Sequence, residues 1–325
     1  MDLDQAGRRV TGWSAEFPLA GPGQEPIDLR RLFNSHGLAA LPPMRFDEES
    51  GEFEITVPVG DAARTLTIGP GRPGQGLVRV AGPRPGKKTA LALIATTRTV
   101  LSLDQDLSPF YALASKDPEL SWVVLGAGRM VRSPTVFEDV VKTICTTNTS
   151  WSGTTRMVKA LIEHLGVRAP GAPAQGPLKR AFPTAAAMAE AGLDFYRRVA
   201  GAGSRSSYLR DLARSVVDGT VDIEELGRLS PELVPDDEIE ERLLVLPGVG
   251  PYAAAHIMLM LGRHSRLILD SWTRPTYARL LGRRRPPADR TIERRFRRYG
   301  RYAGLAFWLF LTRDWLDAAD ASIQD

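Results

Sequence analysis

The segment DDEIEERLLVLPGVGPYAAAHIMLMLG, residues 236–262, reads as two helices bent sharply back on one another. Asp236 or Asp237 can cap the first helix, and the neighbouring acids fill its first turn, where the macrodipole favours negative charge. Helical spacing continues to Leu246 and must stop at Pro247-Gly248-Val249-Gly250. Two glycines in so tight a turn permit positive φ and remove side chains that would block a close approach. Pro251 suits the first turn of the second helix, and the alanines after it let the two helices pack closely. Such a hairpin is a phosphate grip, because backbone N–H groups at the turn and at the following helix N-terminus point outward towards an anion. Contacts of this kind hold a duplex in register without reading its sequence. An ordinary corner between two helices carries the same local pattern, so residues further along the chain must decide between the two.

The next segment is LILDSWTRPTYARLLG, residues 267–282. Leu267, Ile268 and Leu269 form a short apolar run that delivers Asp270 just after the second helix and a loop. An aspartate opening a helix is, by itself, often only an N-cap. Beyond it lies a basic block in which Arg274, Arg279, Arg283, Arg284, Arg285, Arg290, Arg294, Arg295, Arg297, Arg298 and Arg301 are set against Asp289 and Glu293 alone. The whole chain carries a net charge of only +4, so the clustering is local and suits a polyanion. The chain holds six lysines in all, and a general preference for arginine would place it on any solvated helix face. On charge alone both explanations stand.

Working outward, the first third is β-rich. FEITVPV (53–59), ARTLTIG (63–69) and GLVRVAG (76–82) are β-branched segments separated by turn residues, as in antiparallel hairpins. A helix is predicted from about Lys88 to Ser102, and from about Phe110 onward helices are expected almost exclusively. SPTVFEDVVKTIC (133–145) starts on a Ser-Pro signal, SGTTRMVKALIEHLG (152–166) ends on glycine, and the Pro/Gly-rich 168–184 reads as a loop. With 325 residues, 43% hydrophobic and 25% charged, the chain suffices for two domains of ordinary globular composition. No apolar run reaches bilayer length, and the start, MDLDQAGRRVTGW, is too polar for a secretory signal, so a cytoplasmic location is expected. A single cysteine, Cys145, excludes an intramolecular disulfide and an iron–sulfur cluster. His36, His164, His256 and His264 show no metal-ligand spacing, so no metal site is expected. Gly126 and Gly128 lack the strand-to-helix setting of a nucleotide-binding turn.

Hairpin, alanine-rich helix and delayed aspartate together resemble the signature of the helix-hairpin-helix DNA glycosylase superfamily, with LPGVG at 246–250 and Asp270 at the catalytic position. The resemblance covers about residues 130–315. GRMVRSPTVFEDVVKTICTTNTS (128–150) is similar to the helix leading into the DNA-penetrating loop of that family, with Asn148 where its members insert a wedge. YGRYAGLAFWLFLTRDW (299–315) is similar to the C-terminal helix, and Trp308 matches a pocket-lining aromatic. SAEFPLAGPGQEPIDLRRLF and the strands after it look like the small antiparallel domain of the bacterial 3-methyladenine DNA glycosylase II and 8-oxoguanine DNA glycosylase branches. The resemblance implies an α+β fold, with an antiparallel sheet domain with helices over residues 1–125 and an all-helical core of two subdomains over 126–325. It implies a monomeric, bacterial, nucleoid-associated enzyme that takes double-stranded DNA containing a damaged or modified base, flips that base out, and hydrolyses its N-glycosidic bond with Asp270. DNA contacts are expected from Pro247, Gly248, Val249, Gly250, Asn148, Arg205 and Arg274, with no cofactor beyond a monovalent cation that hairpin carbonyls hold in the family.

The departures from the family pattern bear on chemistry. Bifunctional members place a lysine two residues after the last hairpin glycine; here the residue is Tyr252, and a phenol forms no imine. Tyr252, His256 and Trp308 instead resemble the aromatic pocket of the alkylation-damage branch, suited to an electron-poor or cationic purine, although aromatics on apolar helices are commonly core. GAGSRSSYLRD (201–211) resembles the family's GxGYRAxY run, with Ser204 where a tyrosine pushes on the opposite strand. Polar Asn148 matches the 8-oxoguanine branch, so two branches are mixed in one chain. A glycosylase retargeted to an unusual base, such as a modified cytosine in foreign DNA, and a catalytically silent DNA-binding protein therefore remain as alternatives.

Overall fold

The computed structural model describes residues 12–315, so nearly all of the polar start lies outside the described residues. Five strands, β1 (Trp13–Pro18), β2 (Met44–Asp47), β3 (Glu52–Val59), β4 (Ala62–Pro70) and β5 (Gln75–Val80), form one antiparallel sheet in the order β1-β5-β4-β3-β2. The last three are the β-branched segments of the sequence. Their register sets Ile55 opposite Leu66 and Leu66 opposite Val80, which brings apolar side chains to a common face. Thr56 and Thr65 meet as a buried cross-strand pair with hydroxyl oxygens 3.0 Å apart.

The helices, in chain order, are α1 (Leu29–Phe33), α2 (Lys87–Val100), α3 (Ser108–Ala114), α4 (Val136–Thr146), α5 (Trp151–Leu165) and α6 (Ala185–Glu190). They continue as α7 (Arg205–Val217), α8 (Asp236–Leu244), α9 (Pro251–Met260), α10 (Thr273–Leu280), α11 (Asp289–Phe296) and α12 (Ala303–Thr312). The α+β class is therefore as expected. No helix among the described residues is long and apolar enough to cross a membrane. Two helix starts differ from the sequence reading. Thr135, not Ser133, caps α4, its hydroxyl accepting the N–H of Glu138 at 3.2 Å, while the Ser133 N–H donates to Asp139 Oδ1 at 2.8 Å. Pro235 holds the cap position of α8, because Asp236 is turned to buried Arg263 at 3.1 Å and to the Ser265 hydroxyl at 2.5 Å.

The chain divides into two compact units, but not at residue 125. The first gathers residues 12–19, His36–Val100 and Ser133–Asp222: the sheet, α2 and α4 to α7. Ala63 of β4 packs there with Ala169 and Ala181. The second gathers Ala20–Ser35, Leu101–Arg132 and everything described from Ile223 onward. The expected partition into 1–125 and 126–325 fails for a packing reason. Leu107, Phe110 and Tyr111 enter the same core as Phe296, Tyr299, Tyr302 and Phe307. Arg129, almost fully buried, donates to the carbonyls of Ser102 at 2.6 Å and Gln105 at 2.7 Å and pairs with Glu25. Glu25 also accepts the Leu107 N–H at 2.9 Å, tying the Ala20–Ser35 segment into this unit. Every residue of α12 is buried, so this helix is the centre of the second unit.

Candidate active site

The hairpin lies in the second unit, between α8 and α9. Leu243 O accepts the Leu246 N–H at 3.1 Å and Leu246 O accepts the Val249 N–H at 3.1 Å, which closes the turn. Gly248 takes φ +79°, a conformation that strains any residue with a Cβ. Gly250 serves differently: its φ is −106°, and a Cβ there would meet nothing within the chain. Its bare Cα therefore leaves open space on the outer side, in front of the first N–H groups of α9, which have no intrahelical acceptor. Pro251 opens α9, and Ala253 to Met260 are all buried, which fixes the direction of that N-terminus. The carbonyls of Pro247, Gly248 and Val249 accept no backbone hydrogen bond among the described residues, so oxygens suited to a monovalent cation are present at this turn.

Asp270 follows from the burial of Ile268 and the packing of Leu267 and Leu269 against the core. Its Oδ1 accepts the N–H groups of Trp272 at 2.8 Å and Thr273 at 2.6 Å, and the Thr273 hydroxyl accepts the Asp270 N–H at 2.8 Å. These reciprocal bonds close the turn that leads into α10, whose cap position is Trp272, and fix the carboxylate. No donor among the described residues reaches Oδ2. Holding this turn occupies one oxygen; the other remains available on a half-buried side chain.

Beside the carboxylate is a continuous aromatic cluster. Tyr252 and His256 lie one turn apart on α9 with ring centroids 5.9 Å apart, and His256 meets Trp308 of α12 edge-on at 5.9 Å. Trp308 Nε1–H donates to the Ser35 carbonyl at 2.8 Å, which fixes the indole. Two rings absent from the sequence reading complete the group. Trp272 packs on Trp308 at 5.8 Å and on Trp315 at 5.8 Å, and Trp308 meets Trp315 at 5.9 Å. Trp272 stays 41% exposed, and its own N–H is one of the two that hold Asp270. Both rings had a signal in the chain: Trp272 lies two residues from Asp270, and Trp315 lies seven from Trp308, a helical return to the same side.

The expected DNA contacts fare unequally. Asn148 is exposed in the turn between α4 and α5 at φ +46°, a left-handed conformation that asparagine tolerates. Arg205, in contrast, is 8% exposed, and its guanidinium donates to the carbonyls of Thr147 and, at 3.3 Å, Ala202. Bonded to these carbonyls, the guanidinium positions the Asn148 turn from beneath. Arg274, expected on a phosphate, forms a bidentate pair with Asp289 at 2.8 and 2.9 Å. That hydrogen-bonded pair raises the Arg274 pKa and lowers that of Asp289. Arg295, Arg298 and Arg301 likewise pair with Glu119, Asp117 and Glu232. Arg279, Arg283, Arg284, Arg285, Arg290, Arg294 and Arg297 form no ion pair among the described residues. Burial pushes the Cys145 thiol up to about 12, so no thiolate competes as nucleophile. No cluster of metal-ligating side chains occurs among the described residues.

The sequence matches no protein-family profile and no curated protein. Its fold does match solved structures over nearly the whole chain. The 3-methyladenine DNA-glycosylase from Archaeoglobus fulgidus superposes with a TM-score of 0.71 at 19% identity, over 94% of this chain and 98% of that one. MBOgg1, solved with a low-affinity DNA ligand, gives 0.69 at 17% identity over 93% and 96%. The 8-oxoguanine glycosylase/lyase of Clostridium acetobutylicum, solved with double-stranded DNA containing cytosine opposite 8-oxoG, gives 0.65 at 20% identity over 89% and 92%. The chain thus has the fold of the helix-hairpin-helix DNA glycosylases.

Proposed function

We propose that this protein is a DNA glycosylase that removes a damaged or modified base by hydrolysis, with Asp270 as its catalytic carboxylate. The observation that carries the reading is the division of labour on Asp270: Oδ1 is held by two N–H groups, while Oδ2 has no donor among the described residues and lies on the loop whose Trp272 joins the tryptophan cluster. A flipped base stacks on the exposed Trp272 ring, which the buried Trp308 supports from behind, and this favours an electron-poor or cationic purine. As the C1′–N bond breaks, the base leaves with the bonding electrons and the sugar becomes oxocarbenium-like. The fixed carboxylate stabilises that cation without having to reorganise. Water adds to C1′, and Asp270 takes its proton. Gly248 and Gly250 let a phosphate reach the N–H groups of α9, and a monovalent cation on the hairpin carbonyls would add positive charge there. Asn148 fills the gap left by the flipped base. Tyr252 takes the lysine position, and the chain has no lysine beyond Lys179, so the product is an intact abasic site without strand cleavage.

The test is unbiased base release. Wild type and Asp270→Asn are incubated with alkylated, oxidised and naturally hypermodified duplex DNAs, and freed bases are identified by mass spectrometry. A base released only by wild type supports the reading and names the substrate. Silence on all three DNAs with duplex binding intact would refute excision and leave a binding protein.

A further inference from the structure

The first unit carries a groove of about 530 Å³ that the proposed excision does not use. One wall is α5, which presents Ser152, Thr155, Arg156 and Lys159 at positions i, i+3, i+4 and i+7, a single helix side. The other is the turn Phe195–Val199, whose Val199 lines the groove and whose Phe195 ring meets His164 of α5 at 5.9 Å. The turn also carries Arg197 and Arg198, both exposed. Arg156 runs along the adjoining backbone, its Nε 3.6 Å from where a Cβ on Gly201 would stand. Glu163 is the acid in the lining, and its Oε1 accepts the Gly176 N–H at 2.7 Å.

The cations here lack carboxylate partners. Arg156, Lys159, Arg197 and Arg198 form no ion pair among the described residues. Elsewhere on the same unit exposed arginines do find acids, as Arg72 finds Glu16 and Arg79 finds Glu52. The α5 wall thus brings the unspent charge of Arg156 and Lys159 to the groove, and Arg197 and Arg198 lie exposed on the turn whose Val199 forms the other wall. We propose that this groove is a phosphate track for duplex DNA, separate from the hairpin grip. The inference rests on the glycosylase reading, which makes DNA the occupant. From Ser152 to Lys159 the helix rises about 10 Å, which faces about three phosphates of one strand. The groove offers no tryptophan or tyrosine for a base to stack on, so the contact is to the backbone and carries no sequence preference.

The test compares Arg156→Ala/Lys159→Ala with Lys87→Ala/Lys88→Ala, an equal charge change at two exposed lysines on α2 of the same unit. Binding of damaged and undamaged duplexes is measured by fluorescence anisotropy across a salt series. Two lost phosphate contacts should make the slope of log K against log salt shallower by about 1.8 and lower affinity on the order of tenfold near physiological salt, alike for both duplexes. Single-turnover excision at saturating enzyme should stay at the wild-type rate. Slope and affinity equal to those of the control variant, with wild type binding normally, would overturn the track alone. A wild type that binds no duplex at all would overturn the glycosylase reading, and the track with it.

Discussion

Replacing Asp270 by asparagine should separate the two roles its carboxylate can play. An amide oxygen can still accept the N–H groups of Trp272 and Thr273, so the turn into α10 is kept and stability changes by less than about 1 kcal/mol. What disappears is the charge shared with Oδ2. For a unit cation about 4 Å away in surroundings of effective dielectric about 20, that charge is worth about 4 kcal/mol. Such a loss corresponds to about three orders of magnitude in rate. Asp270→Ala should lose the same rate and, because the two bonds to the turn go too, a further ~1 kcal/mol of stability. Single-turnover release from the duplex identified by the base-release experiment measures the first quantity, and urea denaturation measures the second. If Asp270→Asn keeps excision within about fivefold of wild type, the residue only holds the turn into α10 and its charge plays no part in the reaction.

Four further outcomes are expected. Trp272→Ala should weaken productive binding of the damaged base by about 1–3 kcal/mol while leaving undamaged duplex affinity unchanged, which steady-state kinetics and anisotropy together resolve. Borohydride added during turnover should trap no enzyme–DNA adduct, since no lysine amine is available at Tyr252; an adduct on a denaturing gel would contradict the hydrolytic route. Arg205→Met should cost about 2–3 kcal/mol in denaturation, because it strips the donor from the Thr147 carbonyl beneath Asn148. His264 is held neutral by burial, its pKa lowered from 6.5 to about 4, so the folded state binds fewer protons than the unfolded chain between those values. Stability should therefore fall by about 2 kcal/mol as the pH drops from about 7.5 to about 5, and His264→Phe should abolish that part of the slope.

The chain makes some of this legible and hides the rest for identifiable reasons. The hairpin reads directly because proline and glycine punctuate locally, and Asp270 because its spacing from the hairpin is fixed by one helix and one short loop. Strands β3 to β5 declare themselves by alternation, whereas β2, only four residues long, does not. The two-unit organisation is invisible along the sequence, because Leu101–Arg132 belongs with the C-terminal helices only by virtue of which core Phe110 and Leu107 enter. The aromatic cluster was legible at Tyr252, His256 and Trp308, yet Trp272 reads as a loop residue until the fold brings its ring onto Trp308.

Charge was the least legible property, and it bears on chemistry. Counted along the chain, the block after Asp270 meets two acids; in space, Arg295 and Arg298 are matched by Glu119 and Asp117, which lie more than a hundred residues earlier. Arg205 stands in the sequence as one more basic residue, though burial turns it into a clamp. Most consequential is Arg274. A free guanidinium one turn from Asp270 would oppose the stabilisation that a carboxylate gives to a developing sugar cation. Its bidentate pair with Asp289 cancels that opposition, and the residual negative charge of the loop is then that of Asp270 itself. On these grounds Asp289 acts at a distance in the proposed reaction: it neutralises Arg274 so that Asp270 can do what a lone carboxylate does best beside an oxocarbenium ion.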